Sequence, residues 1–164
     1  MLIRSKHAFA LVLLTSISAA AVPRALHPDI EIRKVGDFSR AVRIAQDPRD
    51  QQLYVMDQRA GIGRLDPQAG EVEILYTAAD HDVRGTIWGF AIGPDGTMYI
   101  TNNLIDSKRN TARVTKGILS SSGERTWSVL AQTEPIPASG LDHMVNALLV
   151  TPDNRFILVN SGAH

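Results

Sequence analysis

Beyond Asp37 the chain alternates short apolar runs with clusters of Gly, Pro, Asp and Asn, and no stretch carries a helical period. Val42 and Ile44 alternate with polar neighbours. Leu53, Tyr54 and Val55 follow the turn residues Asp47-Pro48-Arg49-Asp50, and further strands are predicted over 61–65 and 72–76. Strands of four to seven residues bounded by turn formers predict an all-β fold.

The pattern repeats. Residues 42–57 read VRIAQDPRDQQLYVMD, residues 88–102 WGFAIGPDGTMYITN and residues 146–160 NALLVTPDNRFILVN. Each is an apolar strand, a turn built on Pro with Asp, Asn or Gly, and a second apolar strand ending on Asp or Asn. The turn prolines Pro48, Pro94 and Pro152 recur after 46 and 58 residues. Recurrence in the forties with four strands per unit is the signature of β-propeller blades. The longer second period is assigned to an inserted loop over 105–110, before strands at 113–119 and 126–131. Residues 37–164 thus read as a partial propeller of two and a half to three blades, after a lead-in over 22–36. Six blades at about 45 residues each need about 270 residues, so the sequence reads as a fragment. A wedge with open sheet edges is expected to self-associate.

The start of the chain sets the compartment. Arg4 and Lys6 precede an apolar and small-residue run over 8–21, and Ala19 and Ala21 occupy the −3 and −1 positions of a cleavage site. This is the pattern of a secretory signal peptide over 1–21. The run is shorter than the roughly 20 residues a spanning helix needs. The expected location is periplasmic or secreted. Without the leader, 15 basic residues stand against 17 acidic ones, so neither nucleic acid nor a membrane surface is an expected partner. The absence of cysteine excludes disulfides and thiolate metal sites.

Topology then separates two faces. In an antiparallel meander the turns between first and second strands share one end. The segments entering each first strand (37–41, 80–87, 139–145) share the other with the loops after each second strand (58–61, 103–107, 161–164). The second end carries His81, Asp82, Arg84, Asn102, Asn103, Asp142, His143, Asn146 and His164. Asp142-His143 is the candidate catalytic pair, because a carboxylate beside an imidazole can hold one tautomer and raise the basicity of the ring. Three consecutive ligands rarely converge on one ion, so Asp80-His81-Asp82 is not assigned as a metal site. Nor does any spacing require His81, His143 and His164 to form one. Trp88 and Trp127 are expected to pack between blades.

The segment Asp142-His143-Met144-Val145-Asn146-Ala147-Leu148-Leu149-Val150-Thr151-Pro152-Asp153 resembles the part of soluble quinoprotein glucose/sorbosone dehydrogenases that carries their catalytic histidine. Gly89-Phe90-Ala91-Ile92-Gly93-Pro94-Asp95-Gly96 resembles an earlier strand of the same family. The resemblance spans about residues 83–162 and implies a six-bladed propeller that binds pyrroloquinoline quinone (PQQ) over its central channel and uses Ca²⁺. It implies an oxidoreductase moving hydride from a sugar hydroxyl to the quinone. His143 would take the hydroxyl proton, Asp142 would orient His143, and Arg84 would stand where the family has a cofactor-side glutamine. Thr151 replaces the usual glycine before Pro152. The family's other cofactor-gripping residues and its calcium loop belong to later blades, so the chain alone is expected to be catalytically silent. Two alternatives stay open: a calcium-dependent gluconolactonase-like hydrolase with Asn102 or Asn103 as a ligand, and a non-catalytic binding propeller.

Overall fold

The computed structural model describes residues 26–32, 34–138 and 144–162 and divides into two units, Met1–Arg33 and Lys34–His164. In the described part of the first unit, the Ile30 amide closes a turn on the His27 carbonyl at 3.2 Å. Among the described residues no helix is long and apolar enough to cross a membrane.

The second unit is all-β apart from one four-residue helix. Strands β1 (Ala41–Gln46), β2 (Leu53–Asp57), β3 (Gly61–Asp66) and β4 (Glu71–Tyr76) form an antiparallel sheet in sequence order. Helix α1 (Ala78–His81) leads to a second sheet in the same order: β5 (Thr86–Ile92), β6 (Met98–Asp106), β7 (Arg109–Leu119) and β8 (Arg125–Gln132). A two-residue strand, β9 (Ile136–Pro137), pairs with the start of β7. The last sheet is the hairpin of β10 (Val145–Val150) and β11 (Ile157–Ser161).

The sequence repeat has a structural counterpart in strand register. The pairing of first and second strands slips by one residue between Ala41 and Arg43, between Ile87 and Gly89, and between Val145 and Ala147. Val42, Trp88 and Asn146 are therefore the extra residues of three equivalent bulges, at the positions where the three sequence repeats begin. An added residue bends and twists a strand at its own position, so each first strand curves at the same point. Each hairpin closes through a residue with positive φ: Gln51 (64°), Gly96 (79°) and Asn154 (57°).

This register corrects the third repeat by one residue. Val145 pairs with Ser161 as Ala41 pairs with Asp57 and Ile87 with Asn102. Ser161, and not Asn160, is thus the counterpart of Asp57 and Asn102. The connection between Val150 and Ile157 is one residue longer than that between Ile92 and Met98, which shifts everything after it.

A second correction concerns residues 105–110. They are not an inserted loop: Ile105 pairs with Asn110 and Asp106 with Arg109, around a two-residue turn at Ser107-Lys108 with Ser107 at φ 54°. The extension is polar because both of its faces are largely exposed, so it lacks the alternation that marks a half-buried strand. It is anchored at its root, where the buried Asn110 side chain donates from Nδ2 to Asn103 Oδ1 at 2.8 Å.

The core fills the space between the first two sheets: Tyr54, Met56 and Ile62 from one, Ile87, Phe90, Ile92, Met98 and Ile100 from the other, and Val83 from the connection. Trp127 packs edge-on against Tyr76 and His81, with ring centroids 5.6 and 5.7 Å apart, which is the inter-sheet packing expected of it. Its ring lies over Gly117 on the neighbouring strand, where a Cβ would come within 2.6 Å of the ring carbons. Only glycine admits the indole there.

The three first strands lie side by side, with β5 between β1 and β10. Arg43 spans from β1 to the Asn146 carbonyl of β10 at 2.9 Å. Two side-chain amides make the other links. Gln58 Nε2 donates to the Ile87 carbonyl at 2.8 Å, and Asn103 Nδ2 donates to the Val145 carbonyl at 2.9 Å. Gln58 and Asn103 each follow the register-equivalent position of a second strand, Asp57 and Asn102, and Ile87 and Val145 each precede the bulge of the next sheet. The same bond is made twice, from one sheet to the next.

Candidate functional site

The segment between β4 and β5 carries most of the described candidates, and its local chemistry decides what they can do. Thr77 caps α1: its Oγ1 accepts from the Ala79 amide at 3.3 Å, while Asp80 Oδ2 accepts from the Thr77 amide at 2.6 Å. This reciprocal cap commits the Asp80 carboxylate to the helix start. The Thr77 amide and hydroxyl hold its acid group below the usual carboxylate range. The chain then turns through Asp82 in the left-handed region (φ 46°) and Gly85 (φ 79°), where a Cβ would collide with the Asn103 carbonyl oxygen.

This turn points His81 inward. It is 4% exposed, and its Nδ1 accepts from the Val83 amide at 3.1 Å. An accepting Nδ1 is unprotonated, so the neutral ring carries its proton on Nε2. Burial lowers its pKa, against the opposing pull of Asp80 and Asp82. The sign follows. The unfolded histidine protonates near pH 6.5 and the folded one only below that, so as pH falls the unfolded state takes up the proton first. This contribution to stability is complete above about pH 6.5 and is lost as pH falls through the folded value. Urea midpoints between pH 7.5 and 5.5 are expected to fall, and the fall is expected to be smaller in His81→Asn, which retains an acceptor but does not titrate. Equal slopes in both proteins would show that His81 is not the group responsible.

Asp82 and Arg84 face solvent as a pair, Nε to Oδ1 at 3.1 Å, both about four-fifths exposed. Asp80, His81 and Asp82 therefore have three separate occupations. Among the described residues no group of three His, Asp or Glu side chains could hold a metal ion.

The two asparagines in the middle of β6 differ. Asn103 is fully buried and used on both sides: Nδ2 serves the Val145 carbonyl, and Oδ1 accepts from the Val145 amide (3.0 Å) and from Asn110 Nδ2 (2.8 Å). Both lone pairs of its oxygen are taken, so it has none left for a calcium ion. Asn102 donates to the Arg84 carbonyl at 2.6 Å, while its buried Oδ1 has no partner. In the first sheet the same register position is Asp57. Burial works to raise its pKa, but the amides of Ala60, Arg40 and Arg59 and the Ser39 hydroxyl outweigh burial and hold the carboxyl ionised. Both reach the segment that precedes their first strand: Asp57 accepts from the Arg40 amide, and Asn102 donates to the Arg84 carbonyl.

Asp142, His143 and His164 lie outside the described residues. The chain resumes at Met144, which is buried, as is Val145 at the start of β10. Asn146 is the bulge residue whose carbonyl receives Arg43.

Two groups of residues escaped the sequence reading. Gln58 is one, and placing the repeats one residue further along would have set it beside Asn103. The other is Arg113, Thr115 and Ser128, which line a recess of about 150 Å³ with Trp127, His81, Asp82, Val83, Arg84, Asn102 and Val129. They lie on the third and fourth strands of their sheet, where no turn motif draws attention to them. The chain matches no protein-family model and has no significant match among curated proteins.

Proposed function

We propose that the chain forms consecutive blades of a β-propeller belonging to an exported quinoprotein sugar dehydrogenase of the glucose/sorbosone type. The observation that carries the propeller is the repeated unit. Successive antiparallel sheets share one bulge position, their first strands are adjacent, and one amide bond recurs from each sheet to the next. Repeating one displacement sheet by sheet is what arranges blades around an axis. The sugar-oxidising activity rests on the resemblance of residues 142–153, with His143 as the base toward a sugar hydroxyl and Asp142 as the group that orients it.

The described residues meet only part of what PQQ needs. The quinone carries three carboxylates, and the segment before β5 offers Arg84, already paired with Asp82. Arg84 is left as a contact for one carboxylate at the rim, and no calcium ligand set accompanies it among the described residues. When bound, the quinone would supply the hydride acceptor. The test is dye reduction by aldoses, in the presence of PQQ and Ca²⁺, by a form that also carries the later blades. Activity that needs both supports the reading. Aldonolactone hydrolysis that needs Ca²⁺ alone would replace it with the hydrolase.

A non-catalytic binding propeller is the second reading, favoured by the Arg84–Asp82 pair, which neutralises the cation meant for the cofactor. Absence of turnover with quinone and calcium supplied, both in this chain and in a form that carries the later blades, supports it.

Self-association is part of the proposal. The β10–β11 hairpin leaves Leu149, Phe156 and Leu158 each more than half exposed, and β11 has no second neighbour among the described residues. Light scattering is expected to give a mass above that of one chain. A single monomeric species with a cooperative melt would remove this element.

A further inference from the structure

Arg43 sits where the three sheets meet. Strand β5 lies between β1 and β10, and the Arg43 guanidinium bridges the two strands on either side of it. Its Nη1 donates to the Val42 carbonyl and its Nη2 to the Asn146 carbonyl, both at 2.9 Å. Val42 and Asn146 are the bulge residues of their sheets, so the cation is fixed at the level where the first strands bend.

This charge is unbalanced. Arg49, Arg64 and Arg84 each pair with a carboxylate, while Arg43 forms no ion pair among the described residues. Carbonyl groups orient a guanidinium without cancelling its charge, and half-burial limits how far water can do so. A guanidinium has five N–H donors, and these bonds use two of them. Arg43 Nε has no partner among the described residues, and it is not closed off from solvent as the Arg125 Nε is. An oriented guanidinium with open donors and no counter-charge is a seat for a carboxylate.

The strand it grips supplies a second observation. Asn146 stands three residues after His143, so Arg43 is bonded to the strand that follows the proposed base. Arg84, by contrast, is about four-fifths exposed and neutralised by Asp82.

We propose that Arg43 is the cation that holds a carboxylate of the quinone at the inner edge of the blades. Its role rests on the quinone reading and deepens it, adding to the rim contact at Arg84 an anchor whose charge is not already balanced.

In the form that also carries the later blades, with Ca²⁺ present, PQQ binding is read by quenching of tryptophan fluorescence. Arg43→Gln is expected to raise the PQQ dissociation constant about 10- to 100-fold, with the far-ultraviolet circular dichroism unchanged. It should also flatten the rise of that constant between about 0.05 and 0.5 M salt, because one screened charge pair is gone. Arg43→Lys keeps the charge but not the planar fork, and its affinity is expected to fall between the two. Undiminished binding by folded Arg43→Gln protein would overturn the anchor. Weaker binding with the salt dependence unchanged would overturn it too, because Arg43 would then act only by holding β1 to β10. So would a lysine variant no better than the glutamine one. If the unaltered protein takes up no PQQ, the quinone reading itself falls, whereas uptake indifferent to Arg43 leaves that reading standing and removes only the anchor.

Discussion

Asn103→Ala is expected to lower the unfolding free energy by about 3 kcal/mol, against about 1 kcal/mol for Gln58→Ala. The two residues make the same inter-sheet bond, so the difference lies in what each leaves behind. Gln58 is part-buried and spends one donor on the Ile87 carbonyl. Water can reach the site after truncation, and the loss is one ordinary hydrogen bond. Asn103 has no exposed surface and holds three bonds, to both backbone groups of Val145 and to Asn110. Truncating it strands the Val145 amide and the Val145 carbonyl inside the protein and removes a bond from Asn110, and each unpaired buried group carries its own desolvation cost. The lost bonds are those that fasten the β10–β11 hairpin to the second sheet. Hydrogen exchange over 145–150 should therefore accelerate before the core strands respond. Urea midpoints of the two variants measure the contrast. A cost at Asn103 no larger than at Gln58 would mean that the buried amide network is not what holds the hairpin.

In a form that also carries the later blades and their cofactor-gripping residues, His143→Ala is expected to reduce quinone-dependent sugar oxidation by about 10²- to 10⁴-fold, the range over which a positioned general base acts. Asp142→Asn is expected to lower the rate by less, since it leaves the imidazole in place and removes only the group that orients it. The loss should appear in turnover with circular dichroism unchanged. Full activity in the folded variant would show that His143 is not the base.

Some of this was legible from residue order because the relevant signals are local. The alternation around Val42 and Ile44 and the run Leu53-Tyr54-Val55 form strands because period-two burial and turn residues are properties of a few neighbouring positions. The turns at Pro48, Pro94 and Pro152 were legible for the same reason, and they marked the repeat whose bulges recur at Val42, Trp88 and Asn146.

What escaped depends on contacts between distant residues. Residues 105–110 look like a loop because they are polar, yet Asn110 reaches Asn103 and the ladder continues. Asn103 looks like a solvated end-of-strand residue or a cation ligand until Val145, 42 positions away, takes both of its polar atoms. His81 looks like a charged-loop histidine until Trp127 packs against its ring and Val83 fixes its tautomer. Residue order by itself determined the all-β class, the hairpin turns and the repeat, since each needs only the preferences of adjacent residues. Tertiary structure alone decided which polar side chains became internal fasteners between the sheets. A buried donor or acceptor is defined by its partner, and that partner arrives from another sheet.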